Sequence, residues 1–147
     1  MNTKRISKHD YYLNIAKAVS LRSTCLKRQY GAVIVKNDEI VSTGYNGSAR
    51  GDINCCDVHT ECPRKNKAHN SGDYGDCPAV HAEQNALLSA ARTDTIDATL
   101  YLFGNEYGED GSLHPIDSVE PCPICNRMIR NAGIKQLVTP NAIKDYK

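Results

Sequence analysis

The spacing of apolar and polar positions changes several times along this chain, and each spacing predicts a different element. Residues 7–22 carry apolar side chains at helical intervals, which predicts a helix. At its start, Ser7 and Asp10 are spaced as in a capping box. An apolar run at 32–35, the turn pair Asn37-Asp38 and a second run at 40–43 predict a β-hairpin.

The second half of the chain alternates between helical and strand-like spacing. The predicted elements are a helix at 80–92, a strand at 98–104, a helix at 123–132 ended by Gly133, and a strand at 135–139. Strand–helix–strand alternation favours crossover connections and a sheet covered on both faces. We therefore expect an α/β fold with three layers, α/β/α, around a mixed central sheet.

Two stretches lack periodicity and are predicted to be loops. Residues 46–79 are dense in Gly, Asn, Asp, Pro and Cys, and residues 105–120 are polar with turn signals. Irregular segments of this length inside a compact domain are usually functional. We expect the first stretch to be held together by its cysteines.

Composition limits the classes of protein that fit. The 147 residues, 40% hydrophobic and 24% charged, suit a single domain over 1–147. A formal net charge of +1 argues against non-specific polynucleotide binding or an anionic membrane surface as partner. The N-terminus lacks the apolar core of a signal peptide, and no stretch is long enough to span a membrane, so a cytoplasmic location is expected.

The chain contains seven cysteines, which is many for a cytoplasmic protein. In a reducing compartment, clustered cysteines bind metals or take part in chemistry more often than they form disulfides. The cysteines therefore indicate that the protein has metal sites.

Two predicted helix starts carry residues that ligate metals. Cys122 and Cys125 share one face of a helix start flanked by Pro121 and Pro123, where the helix dipole is expected to lower the thiol pKa. His81 stands at the start of the preceding helix. Two thiolates and one imidazole suit zinc and leave one coordination position open, as in catalytic sites.

Glu83 follows His81 by two residues and adds a carboxylate to this set. In mid-helix the two side chains would diverge, but at a helix start both can reach one site, where a carboxylate can shuttle protons. Alone, the Cys-x-x-Cys pair also fits a redox pair or half of a structural zinc knuckle. Together with the intervening strand, the set matches the signature of zinc-dependent nucleobase deaminases.

Five segments, which occur in order over roughly residues 24–139, carry a wider resemblance. They are TCLKRQYGAVIV, STGYNGSARG, VHAEQNAL, EPCPIC and MIRNAGIKQLV. With these segments the chain resembles the cytidine and deoxycytidylate deaminase family, and most closely its deoxycytidylate branch. The resemblance implies a cytidine-deaminase-like fold for the three-layer architecture.

The resemblance also implies roles for matching residues. His81, Cys122 and Cys125 would hold a catalytic zinc, and Glu83 would move protons while the amine leaves C4 of a cytosine ring as ammonia. Asn46 would lie near the substrate sugar, although a plain Asn-Gly turn is an open alternative. A homo-oligomer, often a hexamer in the deoxycytidylate branch, is implied as well.

Some members of the family carry a second, structural zinc, and four remaining cysteines resemble its ligands. The implied set is Cys25, Cys55, Cys62 and Cys77, with His59 as an alternate for Cys62 and Cys56 for Cys55. Four thiolates would form a closed tetrahedral site and would tie down the long loop. Free thiols around a loop are the open alternative.

The chain departs from the family between its 98–104 strand and Pro121, where the family has only a few residues. The extra loop is expected to form a pocket wall or a lid, with His114, Asp117 and Glu120 facing the substrate or simply solvated. A nucleotide substrate would also require a basic residue to bind its phosphate. The basic side chains that qualify are Arg28, Arg50, Arg64, Lys65 and Lys67.

Three functions fit these features. The leading hypothesis is zinc-dependent hydrolysis of a cytosine nucleotide, dCMP to dUMP and ammonia. The second is deamination of another aminated base, nucleoside or modified nucleotide. The third is a zinc-stabilised binding module without turnover. Glu83 argues against this function, because a purely structural site does not need a carboxylate at that position.

Overall fold

Helices and strands alternate along most of the chain. The computed structural model describes residues 4–66 and 77–146. Within those residues the elements, in chain order, are α1 (Lys8–Ser20), β1 (Arg28–Lys36), β2 (Glu39–Tyr45), β3 (Gly47–Ser48), α2 (Cys55–Val58), β4 (Ala79–Val80), α3 (Ala82–Leu88), α4 (Arg92–Thr95), β5 (Thr99–Tyr107), β6 (Leu113–Pro115), α5 (Pro123–Asn131), β7 (Gln136–Val138) and β8 (Ile143–Asp145).

The main sheet has the strand order β2-β1-β5-β7-β8, with β6 also paired to β5. Strand β1 is antiparallel to both β2 and β5, whereas β5 and β7 are parallel and α5 forms the connection between them. A parallel pair requires such a crossover, because the chain must return to the same end of the sheet. The prediction of a mixed central sheet is confirmed.

The central strands are buried on both faces. On β1, Ala32 and Ile34 belong to one apolar cluster, which includes residues of α3 and α5, while Val33 and Val35 belong to another, with residues of α1. Successive side chains point to opposite faces, so a strand covered twice becomes a continuous apolar run. The three-layer α/β/α fold is therefore confirmed, and the tight turn at Asn37 and Asp38 has the positive φ angles, 53° and 62°, of a two-residue hairpin.

The predicted helix at 80–92 is wrong at both ends. Residue 80 lies in β4, which pairs with β3, and α3 ends at residue 88 before the short helix α4 begins. No Gly or Pro marks this break, so the sequence gives no local signal. Contacts with α5 fix it instead: Arg92 Nη1 donates to the Asn131 carbonyl at 3.1 Å, and Thr95 Oγ1 donates to the Ala132 carbonyl at 2.8 Å.

The predicted loop at 105–120 is also partly wrong. Strand β5 continues to Tyr107, and β6 folds back on it to form a hairpin. The polar residues of this extension enter the strand because they find distant partners: Asn105 Nδ2 donates to Ser20 Oγ at 3.4 Å. Hydrophobic spacing alone cannot reveal such partners.

The predicted irregular stretch at 46–79 contains only short elements in its described part, namely β3, the four-residue helix α2 and β4. Residues 67–76 lie outside the described residues, and so does the phosphate candidate Lys67. Among the described residues, no helix is both long and apolar enough to cross a membrane.

Candidate metal centre and substrate cavity

His81 occupies the junction between β4 and α3. It is the N-cap of α3, with extended backbone angles (φ −73°, ψ 155°), and its N–H donates to Gln84 Oε1 at 2.9 Å. Because the N-cap is not yet in the helical conformation, the direction of its side chain is not fixed by the rotation between helical residues. This explains how His81 and Glu83, only two residues apart, can serve one site.

Helix α3 is held tightly against β2, which fixes the position of its first turn. A Cβ added at Gly44 would lie under 3.0 Å from backbone atoms of Ala82 and Ala86, so only glycine permits this approach. Ser42 Oγ donates to the Ala86 carbonyl at 2.8 Å, and Asn85 Nδ2 donates to the Tyr45 carbonyl at 2.8 Å. The segments GYNG and HAEQNA are therefore parts of one packing unit.

Cys122 and Cys125 lie at the start of α5. Cys122 is the N-cap, and its Sγ accepts a hydrogen bond from the Cys125 N–H at 3.3 Å. Pro123 occupies the first turn, where a missing N–H has little consequence. Cys125 is fully buried, so its sulfur points into the protein rather than into solvent.

The two helix starts converge, although His81 and Cys122 are 41 residues apart in sequence. His81 Nδ1 lies 3.2 Å from Cys125 Sγ and 3.5 Å from Cys122 Sγ. Their ligand atoms all lie within 4.8 Å of one another, and within residues 4–66 and 77–146 this is the one group of three or more His, Cys, Asp or Glu that does so. An imidazole and two thiols at these distances fit a zinc ion.

Glu83 lies beside this group and is buried, with 4% of its surface exposed. Burial raises the pKa of the Glu83 carboxyl, and contact with the Cys125 thiol opposes that rise. Burial lowers the pKa of His81, which favours the neutral imidazole that binds metals.

The expected lowering of thiol pKa by the helix dipole is wrong for Cys125. Burial, and next the nearby Glu83 carboxylate, raise the pKa of Cys125, because a low dielectric and a negative charge both disfavour a thiolate. A bound cation would reverse this balance and favour the thiolate.

A cavity opens next to the metal-ligand group. Its lining includes His81, Glu83 and Cys122, and it also includes three basic residues, Lys27, Arg28 and Arg64, which we call the basic lining. The same cavity therefore combines metal-ligating side chains, a carboxyl group with a raised pKa and cationic groups able to bind an anion.

Asn46 also lines the cavity, where it supports the start of β1. Its Oδ1 accepts from the Tyr30 N–H at 2.9 Å, and its Nδ2 donates to the Arg28 carbonyl at 3.0 Å. The alternative of a plain Asn-Gly turn is wrong, because Asn46 lies between β2 and β3 without the positive φ that such a turn requires.

Four other cysteines surround a neighbouring cavity: Cys25, Cys55, Cys62 and Cys77. The Lys27 N–H donates to Cys25 Sγ at 3.4 Å, and the Arg64 N–H donates to Cys62 Sγ at 3.3 Å. The four sulfurs do not form a second group with all atoms within 4.8 Å among the described residues. Burial raises the pKa of Cys25 and of Cys55.

The alternates for this set lie elsewhere. Cys56 and His59 are exposed and do not line the cavity, and Cys56 Sγ contacts Asp57 Oδ1 at 3.9 Å. The arrangement therefore favours Cys55 over Cys56 and Cys62 over His59.

Only some of the remaining predicted residues reach the substrate cavity. Arg28, Arg64 and Glu120 line it. Arg50 is exposed, Lys65 pairs with Glu61 at 3.0 Å, His114 Nε2 contacts Ser112 Oγ at 2.6 Å, and the Asp117 carbonyl accepts from Asn141. Three lining residues were not predicted, Lys27, Tyr30 and the apolar Ala79. Tyr30 follows Arg28 by two residues and so shares its face of β1, a period-two signal that identifies it once the strand is extended.

Comparisons with known proteins agree with this geometry. The family model for the cytidine and deoxycytidylate deaminase zinc-binding region matches residues 6–140. The chain is 38% identical to a deoxycytidylate deaminase of Mycobacterium phage D29, with 89% of this chain and 92% of that protein covered. It is 36% identical to a deoxycytidylate deaminase of Schizosaccharomyces pombe, with 93% of this chain covered but only 38% of that longer protein.

A solved structure is similar as well. The dCMP deaminase of cyanophage S-TIM5, in complex with dCMP and dUMP, superposes with a TM-score of 0.61 at 26% identity. The match covers 92% of this chain and 83% of the phage chain.

Proposed function

Because the chain belongs to the cytidine and deoxycytidylate deaminase family, whose members hydrolyse C–N bonds, we propose that it converts dCMP to dUMP and ammonia. The observation that carries this proposal is the convergence of His81, Cys122 and Cys125 beside the buried Glu83, in a cavity that also has a basic lining. The relatives named as deoxycytidylate deaminases and the phage structure with dCMP and dUMP support the same substrate.

The donor set supports zinc as the cofactor of this site. His81, Cys122 and Cys125 would hold the ion, since zinc accepts both imidazole and thiolate ligands. Zinc supplies a Lewis acid that makes water acidic enough to act as a nucleophile near neutral pH. Among the described residues, the group contains no fourth protein ligand. This leaves one coordination position for water, which such chemistry requires.

Glu83 would move the protons of the reaction. Its carboxylate takes a proton from the attacking water, whose oxygen forms a bond to C4 of the ring, and gives that proton to N3. The hydroxyl now attached to C4 gives up its proton, which passes through Glu83 to the amino group; the C4–N bond then breaks as the C4=O bond forms, and ammonia leaves. Burial that raises the pKa of Glu83 suits this role, because the group must both accept and release a proton.

The rest of the cavity would hold the nucleotide. The basic lining would bind the phosphate, for which guanidinium groups are well matched, and Asn46 would keep the sugar end of the cavity in shape through its bonds to β1. Arg64 is buried, with 6% of its surface exposed, and it lines both this cavity and the neighbouring one.

A substrate panel tests this proposal. Ammonia release should be highest with dCMP, at least about tenfold above deoxycytidine in kcat/KM because of the phosphate contacts. Cytidine, cytosine and guanine complete the panel. Preference for another aminated base would favour the second hypothesis, and no release from any cytosine compound would contradict the function itself.

The four cysteines around the neighbouring cavity support a second, structural zinc. Cys25, Cys55, Cys62 and Cys77 would supply four thiolates, a closed set that zinc prefers in structural sites. Ion binding would draw the sulfurs together and would hold α2 and the segment before β4 against the N-terminus of β1. The N–H donors already directed at Cys25 and Cys62 would stabilise their thiolates.

Metal content distinguishes one site from two. The purified chain should contain about two zinc ions, and Cys55→Ser should retain about one, measured by mass spectrometry of the dissolved metal. Cys56→Ser is the matched control, because that exposed neighbour does not line the cavity and should leave both ions in place. A wild-type content of one ion would rule out the structural site.

The location is proposed from the sequence, and the assembly from the family resemblance together with one feature of the surface. We expect a homo-oligomer, with the hexamer implied by the family resemblance, and a cytoplasmic location. Several large apolar side chains on the described surface are exposed, as a subunit contact would need, among them Ile53, Val58, Leu88 and Ile124.

A further inference from the structure

Residues 105–115, which we call the additional hairpin, lie within the segment 105–120 in which the family resemblance implies extra residues. They extend the sheet beside the start of β1, where Glu106 lies opposite Arg28 in the strand register. We propose that the additional hairpin holds the basic lining in place for the phosphate of the nucleotide, with Glu106 as the positioning residue for Arg28. This rests on the proposed function, because it concerns how that substrate is held.

The guanidinium of Arg28 is oriented by two partners. Its Nη2 lies 3.2 Å from Glu106 Oε2, and its Nη1 donates to the Tyr30 hydroxyl at 3.2 Å. The Arg28 side chain is 21% exposed and the Glu106 side chain is 43% exposed, so the arginine end of the pair is the more sheltered one. The guanidinium group is planar, so two fixed donors fix the orientation of its plane. The buried Nε of Arg28 has no hydrogen-bond partner within the described residues.

The hairpin also supports the neighbouring basic residues. The Tyr107 N–H donates to the Lys27 carbonyl at 3.0 Å, and Gln29 Nε2 donates to the Tyr107 hydroxyl at 3.3 Å. Lys27 Nζ in turn donates to the Arg64 carbonyl at 3.2 Å. All three residues of the basic lining are thus connected, directly or through one another, to the hairpin.

The additional hairpin is built as a fixed support rather than a lid. Its turn is closed by a hydrogen bond from the Gly108 N–H to the Ser112 carbonyl at 2.8 Å. Its return strand is continued by Ile116, whose N–H donates to the Gly104 carbonyl at 3.0 Å and whose side chain is buried in the main core. A strand anchored at both ends can hold an attached side chain in one orientation.

Charge and positioning make opposite predictions for Glu106. If only its charge mattered, removing the carboxylate would make the electrostatic potential around Arg28 more positive. The binding of a phosphate would then become stronger. If Glu106 positions Arg28, its removal lets the guanidinium turn away, and phosphate binding weakens. The sign of the change therefore separates the two explanations.

The test compares Glu106→Gln with Glu109→Gln, which makes the same charge change at an exposed position of the same hairpin. The KM for dCMP should rise about fivefold to twentyfold in Glu106→Gln, with kcat within about twofold of wild type. The kcat/KM for deoxycytidine, which has no phosphate, should stay unchanged. Glu109→Gln should match the wild type with both substrates.

Two further variants keep the test decisive. Glu106→Asp retains the charge but shortens the reach, so it should also raise the KM for dCMP. In an Arg28→Lys background, Glu106→Gln should add little, because the group that it positions is gone.

Three outcomes would overturn the inference. An unchanged or lower KM for dCMP in Glu106→Gln contradicts the hairpin proposal alone, provided that the wild type turns over dCMP. Equal losses with dCMP and deoxycytidine show a general structural role instead. A wild type without dCMP turnover overturns the proposed function, and the hairpin proposal with it.

Discussion

Replacing Glu83 with glutamine is expected to lower kcat for dCMP deamination by about a thousandfold. The amide fills the same buried space, but it cannot accept a proton from water or pass one to the departing amine. Ammonia release at saturating dCMP measures the loss. This effect is expected to be the largest of any substitution that leaves the metal ligands intact.

The controls for Glu83→Gln separate chemistry from structure. The variant should keep its full zinc content, because Glu83 is not among the three residues whose ligand atoms converge. It should also bind dCMP in a calorimetric titration, since the basic lining is unchanged. A variant that deaminates dCMP at the wild-type rate would contradict the proposed proton route.

Replacing a metal ligand is the second substitution with a large expected effect. Cys125→Ser and His81→Ala should each lose about one zinc ion per chain and all measurable deamination, because each removes one of the three side chains that would hold the ion. Cys125 is fully buried, and its sulfur lies 3.2 Å from His81 Nδ1. Bulk water therefore does not reach this position to replace the sulfur as a metal ligand. Metal analysis and an ammonia assay on the same preparations measure both losses.

The matched control for this experiment is Cys56→Ser, which removes an exposed thiol from the described surface. It should keep both the metal and the activity. A circular dichroism spectrum of each variant shows whether the fold is retained. A Cys125→Ser chain that keeps full zinc content and activity would contradict the assignment of this centre.

The sequence predicted the parts of the fold that depend on local pattern. The run at 32–35 was recognisable as a strand because burial on both faces requires apolar residues at every position. Gly133, with φ 85°, ends α5 as predicted, since that backbone conformation suits glycine. Such features are encoded within a few neighbouring residues.

The parts that were not predicted depend on contacts between distant residues. The extension of β5 to Tyr107 is polar, and it forms because Glu106 and Asn105 meet Arg28 and Ser20 from elsewhere in the chain. Lys27, which lines the substrate cavity, accepts a hydrogen bond at its carbonyl from Tyr107 of that same extension. The spacing of polar and apolar residues within a segment does not predict these contacts between distant residues.

The candidate site divides in the same way. Its residue types and their place at helix starts could be read from the sequence and from the family resemblance, and the structure brings His81, Cys122 and Cys125 together as anticipated. The pKa of Cys125 could not be read, because it depends on burial and on the neighbouring Glu83 rather than on the helix end.

The approach of α3 to Gly44 restricts how this chain can vary. The glycine lies in a strand, yet it faces the backbone of Ala82 and Ala86, on either side of Glu83. Even a methyl group there would push the first turn of the helix outwards and carry the carboxylate away from its neighbours. A mutation that looks like a minor change to a strand, such as Gly44→Ala, would therefore act as an inactivating one.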